Sequence, residues 1–230
     1  GYASFPALAA ARILRIPVVV HESDTVPGRV TRWAAKFARQ IAIAFPEAAE
    51  YFPPEKTALI GNPIRSEVVG GTSAEAAVIF GAGAAPTVLI LGGSQGSERI
   101  NNAVLGILKN LVTTMRVIHQ CGARNREIIS QQASTILEGN EFRGRYHVFG
   151  SLGEGELRNA AHAATVVVSR AGAGAIFEIA AWEKPAILIP LPESAQDHQR
   201  KNAYAYARAG AALVMEESNM TPSVLLTEIQ

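Results

Sequence analysis

The chain has 230 residues, of which 48% are hydrophobic and 18% charged, and its formal net charge is +1. That much apolar material excludes a disordered chain and allows one large domain or two small ones. The near-neutral balance gives no general pull toward nucleic acid, so none is expected as a partner, and the single cysteine, Cys121, excludes an internal disulfide.

In chain order, Pro6 to Ile16 reads as a helix ended by Pro17, and Val18-Val19-Val20 as a short buried strand. Arg29 to Arg39 reads as a helix, Ile41 to Ala44 as a strand and Thr57 to Ile60 as another. A domain boundary is placed near Pro63 to Val69, and no helix or strand is read in Glu67 to Pro86, which is rich in Gly, Ala and Ser. Strands and helices then alternate. Thr87-Leu91, Arg116-Gln120, Tyr146-Phe149, Thr165-Val168, Ala186-Leu191 and Ala211-Met215 read as strands. Ser97 to Val112, Arg124 to Leu137, Glu154 to Ala163, Ile176 to Trp182 and Gln196 to Arg208 read as helices, and a last one starts at Thr221-Pro222. This alternation predicts βαβ units, hence an α/β protein with parallel sheets.

Several stretches carry chemistry. At Ser169 to Glu178 a strand turns through Gly172 and Gly174 into a helix. Unpaired N–H groups and the dipole at such a helix start attract phosphate, and Glu178 is placed to meet a ribose. An ordinary strand-to-helix connection explains the same residues. Gly92-Gly93-Ser94-Gln95-Gly96 is a second glycine turn suited to phosphate; it also spells G-x-S-x-G, the pattern of a hydrolase nucleophile on Ser94. His21-Glu22, at a strand end, offers groups for base catalysis or forms a satisfied pair. Asp197-His198-Gln199 opens a helix whose Gln199 amide can hold sugar hydroxyls. Only Asp24 and Asp197 are aspartates among twenty acidic residues, and the five histidines have no ligand spacing, so no metal or cofactor is expected. Arg29, Arg32, Trp33, Lys36 and Phe37 share one helical face, either a snorkelling rim over core or a contact for an anionic membrane. Residues 1–45 hold six cations against two anions, whereas the other 185 hold 15 against 18.

Six motifs, in order, make the sequence resemble the MurG family of bacterial N-acetylglucosaminyltransferases. They are Tyr2-Ala3-Ser4-Phe5-Pro6, His21-Glu22-Ser23-Asp24, Gly61-Asn62-Pro63-Ile64-Arg65, Gly92-Gly93-Ser94-Gln95-Gly96, Ser169-Arg170-Ala171-Gly172 and Asp197-His198-Gln199. The resemblance implies a GT-B fold of two Rossmann-like domains. Residues 1–66 would be the later part of the acceptor and membrane-side domain, and 67–230 the UDP-sugar-binding domain, cut short at its end. It implies metal-independent, inverting transfer from UDP-N-acetylglucosamine to lipid I (undecaprenyl-pyrophosphoryl-muramyl-pentapeptide) at the cytoplasmic face of the membrane.

By motif, the resemblance assigns the diphosphate to Ser94, counts Gln95 and Gly96 among the donor-binding residues, and puts Arg65 beside the donor at the domain junction. The uracil falls to the backbone of Leu152, and the nucleotide to Ala173, Gly174, Ala175, Ile176, Phe177 and Glu178. Gln199 takes the sugar, and His21 and Glu22 are the catalytic candidates. Asp24 stands where the family has an asparagine that touches the donor. The family's first glycine-rich loop, with a candidate base, would lie upstream of residue 1, so a fragment is expected that binds donor without turnover. The alternatives are a UDP-N-acetylglucosamine epimerase, a non-catalytic donor-binding subunit, and the hydrolase on Ser94.

Overall fold

The computed structural model describes residues 2–93, 95–192, 194 and 197–230. Two parallel sheets organise them. The first has strands β1 (Val19–Glu22), β2 (Gln40–Ile43) and β3 (Thr57–Leu59), in that order, with helices α1 (Phe5–Ile13) and α2 (Arg29–Ala35) between or before them. The second has β4 (Thr87–Leu91), β5 (Arg116–Gln120), β6 (Tyr146–Phe149), β7 (Val166–Ser169), β8 (Ala186–Leu188) and β9 (Ala212–Val214), in the order β6-β5-β4-β7-β8-β9. Its helices are α4 (Glu98–Thr114), α5 (Arg126–Ile136), α6 (Glu154–Ala163), α7 (Ala173–Ala181), α8 (His198–Ala207) and α9 (Pro222–Ile229). Helix α3 (Ser73–Phe80) precedes β4.

Counted from β4, the second sheet runs 3-2-1-4-5-6, the order of dinucleotide-binding sheets, and the order reverses between β4 and β7. All five residues of β4 are buried because helices cover both faces. Alternation sorts its side chains. Val88 and Ile90 join the core under α4, α5 and α9, while Leu89 and Leu91 join the core under α3, α6 and α7. The first sheet packs Val20, Ile41 and Ile43 against Ala34, Ala35 and Ala38.

Three expectations need correction. Residues 67–86 are not structureless: Thr72 caps α3 by accepting from the Glu75 N–H at 3.2 Å, and α3 buries Ala76 and Phe80. The Thr72-x-x-Glu75 cap was legible, but an alanine-rich helix with little periodicity hides it. Helix α2 stops at Ala35 rather than Arg39, because the chain tightens and the Arg39 N–H joins the Val18 carbonyl at 2.8 Å. Strand β8 stops at Leu188 rather than Leu191, just before Pro190, which lacks an N–H for a ladder.

Candidate functional site at the facing sheet edges

The turn after β4 and the turn after β7 flank the point where the strand order reverses, so both glycine motifs meet at the ligand crevice of an open α/β sheet. Their glycines are used differently. Gly96 sits at φ +79°, and a Cβ there would lie 2.0 Å from the Cys121 carbonyl; one on Gly122 would lie 2.5 Å from the Gln95 carbonyl. The turns after β4 and β5 therefore interlock backbone to backbone. Gly172, by contrast, has an ordinary φ of −67°, and a Cβ on it or on Gly174 would meet nothing within 4 Å. Packing does not require those two glycines, and they leave the first turn of α7 open to approach.

Beneath the interlocked turns lies a buried polar chain. Asn101 Nδ2 donates to the Cys121 carbonyl at 3.0 Å, so its Oδ1 accepts from His119 Nε2 at 3.0 Å. His119 Nδ1 then accepts from the Tyr146 hydroxyl at 2.9 Å. Burial pushes His119 down to about 4 and, with the nearby Cys121, pushes Tyr146 up. The chain is neutral and fully paired, which suits a brace for the loops above it.

The first sheet's C-terminal edge faces the second domain. Asn202 of α8 is fully buried; its Oδ1 accepts from Thr25 N at 2.9 Å and Thr25 Oγ1 at 3.0 Å, and its Nδ2 donates to Asp24 Oδ1 at 2.7 Å. Arg65 reaches Glu178 Oε1 through Nη2 at 2.9 Å and Nε at 3.0 Å. Phe45 packs edge-on against Phe177, centroids 5.2 Å apart, and Arg208 pairs with Glu47 at 2.5 Å. A cleft of about 460 Å³ opens beside this seam, lined by Thr25, Glu50, Tyr51, Lys201 and Tyr204 among others. A larger cavity, about 600 Å³, lies against α5 and the N-terminal end of β6. It lies at edge strand β6 rather than where β4 meets β7, so size does not mark the site here.

The description "Glycosyltransferase family 28 C-terminal domain" matches residues 87–230, and "Glycosyltransferase family 28 N-terminal domain" matches residues 1–43. The chain belongs to glycosyltransferase family 28. It is 37% identical over 232 residues to the UDP-N-acetylglucosamine–N-acetylmuramyl-(pentapeptide) pyrophosphoryl-undecaprenol N-acetylglucosamine transferase of Shouchella clausii, covering 100% of this chain and 62% of that protein. The same-named transferase of Trichodesmium erythraeum is 36% identical, with 100% and 58% covered. The chain thus spans about three fifths of the length of these relatives. Among solved structures, MurG of Acinetobacter baumannii superposes with a TM-score of 0.76 at 28% identity, over 100% of this chain and 64% of that one. A UDP-GlcNAc 2-epimerase from Neisseria meningitidis reaches 0.61 at 16% identity, over 97% of this chain and 64% of that one, and shows a shared fold only. The architecture is GT-B.

Within this family 28 chain the expected site residues fall as follows. Ser94 lies outside the described residues. Gln95 and Gly96 are on the turn before α4, and the Leu152 N–H donates to Gln120 Oε1 at 3.0 Å. Ala173 and Ile176 turn their side chains into the core, three residues apart on one helix face, so only their backbone can meet a ligand. Gly174 is exposed; Ala175, Phe177 and Glu178 are half-buried. Glu178 is the sixth residue of α7, because the helix starts at Ala173 rather than at Ile176.

The Gln199 side chain accepts from the Leu191 N–H at 3.1 Å, tying the α8 start to the turn after β8. Asp24 is spent on Asn202. Both oxygens of buried Glu22 accept backbone N–H bonds, from Asp24 and Gly28, each at 3.2 Å, and thereby shape the loop after β1. His21 is exposed, with Nε2 2.9 Å from the Gly61 carbonyl. That contact places the proton on Nε2 and leaves the lone pair on Nδ1. Trp33 and Phe37 are half-buried against the first core: Phe5 packs tilted and Phe37 edge-on against Trp33, centroids 5.0 and 4.9 Å apart, and the Arg12 guanidinium sits 5.1 Å from the Phe37 ring centre.

Sequence reasoning missed Asn202, Thr25, Asn101 and His119. Isolated polar residues within helices and strands carry no local signal; only their burial reveals them.

Proposed function

We propose that this family 28 chain carries the UDP-N-acetylglucosamine site of an enzyme that transfers N-acetylglucosamine to lipid I. The observation that supports this most is that 36–37% identity to transferases of that name runs through all of this chain. Geometry agrees with it. The two glycine turns present helix N-termini to one crevice, where preorganised N–H groups would stabilise the charge growing on UDP as it leaves. Arg65 engages one oxygen of Glu178 and leaves the carboxylate room to accept from ribose hydroxyls. The acceptor 4-hydroxyl would attack the anomeric carbon from the opposite face, inverting it, with its proton passing to a base; in this chain exposed His21, through Nδ1, is the candidate, because both oxygens of buried Glu22 are taken by its own loop.

Metal-independent phosphate binding belongs to the same proposal, since backbone amides meet the diphosphate. So does peripheral attachment to the cytoplasmic face of an anionic membrane. Ile13, Leu14 and Ile16 are 80, 68 and 54% exposed beside the cations Arg12 and Arg15, so these residues, rather than Trp33, offer the apolar contact. Among the described residues no helix is long and apolar enough to cross a membrane.

The test has two arms. Calorimetry should detect UDP binding to this chain in EDTA; no binding, or binding only with Mg²⁺, would sink the donor reading. The whole protein should convert lipid I and UDP-N-acetylglucosamine to a β-linked product. Interconversion of the sugar without acceptor would favour an epimerase instead.

A further inference from the structure

Glu217, on the turn after β9, is a buried carboxylate with no part in the site described above. Its Oε2 lies against Arg170 Nη1, and its Oε1 is 3.3 Å from Arg99 Nε. Arg170 follows β7 at the point where strand order reverses, a place where an arginine is readily taken for a phosphate ligand. Its other contacts say otherwise. Nη2 donates to Ser97 Oγ at 2.6 Å, and Nη1 donates to the carbonyls of Ile189 at 3.3 Å and Pro190 at 3.5 Å. The side chain is only 14% exposed.

One guanidinium therefore joins the turns after β4, β8 and β9, three of the loops on the edge where the donor is proposed to lie. Ser97 is the N-cap of α4, its Oγ accepting from the Ile100 N–H at 3.4 Å. A Cβ on Gly92 would lie 3.2 Å from Ser97 N, so the cap backs directly onto the glycine turn.

We propose that Glu217 and Arg170 are a positioning pair: Glu217 neutralises and anchors the guanidinium, and the guanidinium holds Ser97, and with it the glycine turn, at the geometry that receives the diphosphate. The assignment rests on the UDP-sugar reading. A phosphate-ligand role for Arg170 makes the opposite prediction for Glu217. Removing the carboxylate would then free positive charge and raise UDP affinity. With a positioning pair, removing it loosens the turn and lowers affinity.

The experiment compares wild type, Glu217→Gln, Arg170→Ala, the double variant and Ser97→Ala in calorimetry with UDP and with uridine, alongside amide exchange by mass spectrometry. Glu217→Gln should weaken UDP about 5- to 20-fold, the loss of roughly one to two hydrogen bonds, and leave uridine unchanged, because the nucleoside does not reach the turn. The double variant should be no weaker than the weaker single one, since the pair acts as a unit. Exchange should quicken in the first turn of α4 and not in the first sheet. Ser97→Ala, which leaves the buried ion pair intact, should reproduce the selective UDP loss if Glu217→Gln fails to fold. Unchanged or tighter UDP binding by Glu217→Gln, additive effects, or equal losses for uridine would overturn the proposal. Wild type that fails to bind UDP would overturn the donor reading, and the exchange arm would then decide the positioning pair by itself.

Discussion

Asn202→Ala removes a three-bond contact between α8 and the loop after β1. Three hydrogen bonds go: two from Thr25, each worth about 1 kcal/mol net, and one to the Asp24 carboxylate, worth about 2 kcal/mol. Thr25 is 3% exposed, so its N–H and hydroxyl lose their partner in a place water reaches poorly, whereas half-buried Asp24 recovers hydration. Alanine also favours the interior of α8 by roughly 0.5 kcal/mol. The expected net loss is about 2–3 kcal/mol, concentrated at the seam. Amide exchange resolves it: the Thr25 N–H, protected by Asn202 Oδ1, should exchange at least tenfold faster, while β4 and β5 stay protected. Asp24→Asn keeps an oxygen that can accept from Asn202 and should cost less than about 1 kcal/mol. Unchanged Thr25 protection in Asn202→Ala would show that the seam is held by other contacts and refute the reasoning.

His119 gives a pH dependence. Its protonation is held to about 4 by burial, against an ordinary 6.5. Between those values the unfolded chain takes up the proton and the folded one does not. Stability is therefore lost as pH falls from about 6.5 to 4, by up to roughly 3 kcal/mol, and this group adds nothing further below 4. Urea midpoints across that range should lose this component in His119→Gln. Glu178→Ala should weaken UDP binding by about 1.5–3 kcal/mol through lost charge-assisted bonds to ribose, and equal calorimetric affinities would take Glu178 out of the site. Vesicles with anionic lipid should retain the chain at low salt and release it at high salt. Charge reversal at Arg12 and Arg15, the cations beside exposed Ile13, Leu14 and Ile16, should weaken that retention with UDP affinity intact, and equal retention on neutral vesicles would count against an electrostatic contact.

Much of the fold was legible because its signals are local. Continuous β-branched runs such as Val166 to Val168 mark strands buried on both faces, and regular alternation with helices implies parallel pairing and right-handed crossovers. Three strands, Thr87–Leu91, Arg116–Gln120 and Tyr146–Phe149, run as read, and so does helix Glu154–Ala163. The errors lie where no local signal competes with tertiary contact. Helix α3 holds through its Thr72 cap and its packing on α6, and α2 ends where Arg39 joins the first sheet.

The glycine turns and the acidic balance were likewise readable from residue order, because backbone freedom and charge are properties of residue type. What each polar side chain does was not. Tertiary structure alone distinguished the glycines that packing demands, Gly96 and Gly122, from Gly172 and Gly174, which it leaves open. It turned Ala173 and Ile176 inward, engaged Glu22 with its own loop, and bound Arg170 to Glu217, forty-odd residues away. Asn202 meets Asp24 and Thr25 across almost the whole chain. Such partners are set by how sheets stack and where loops converge, and residue order carries no term for that distance.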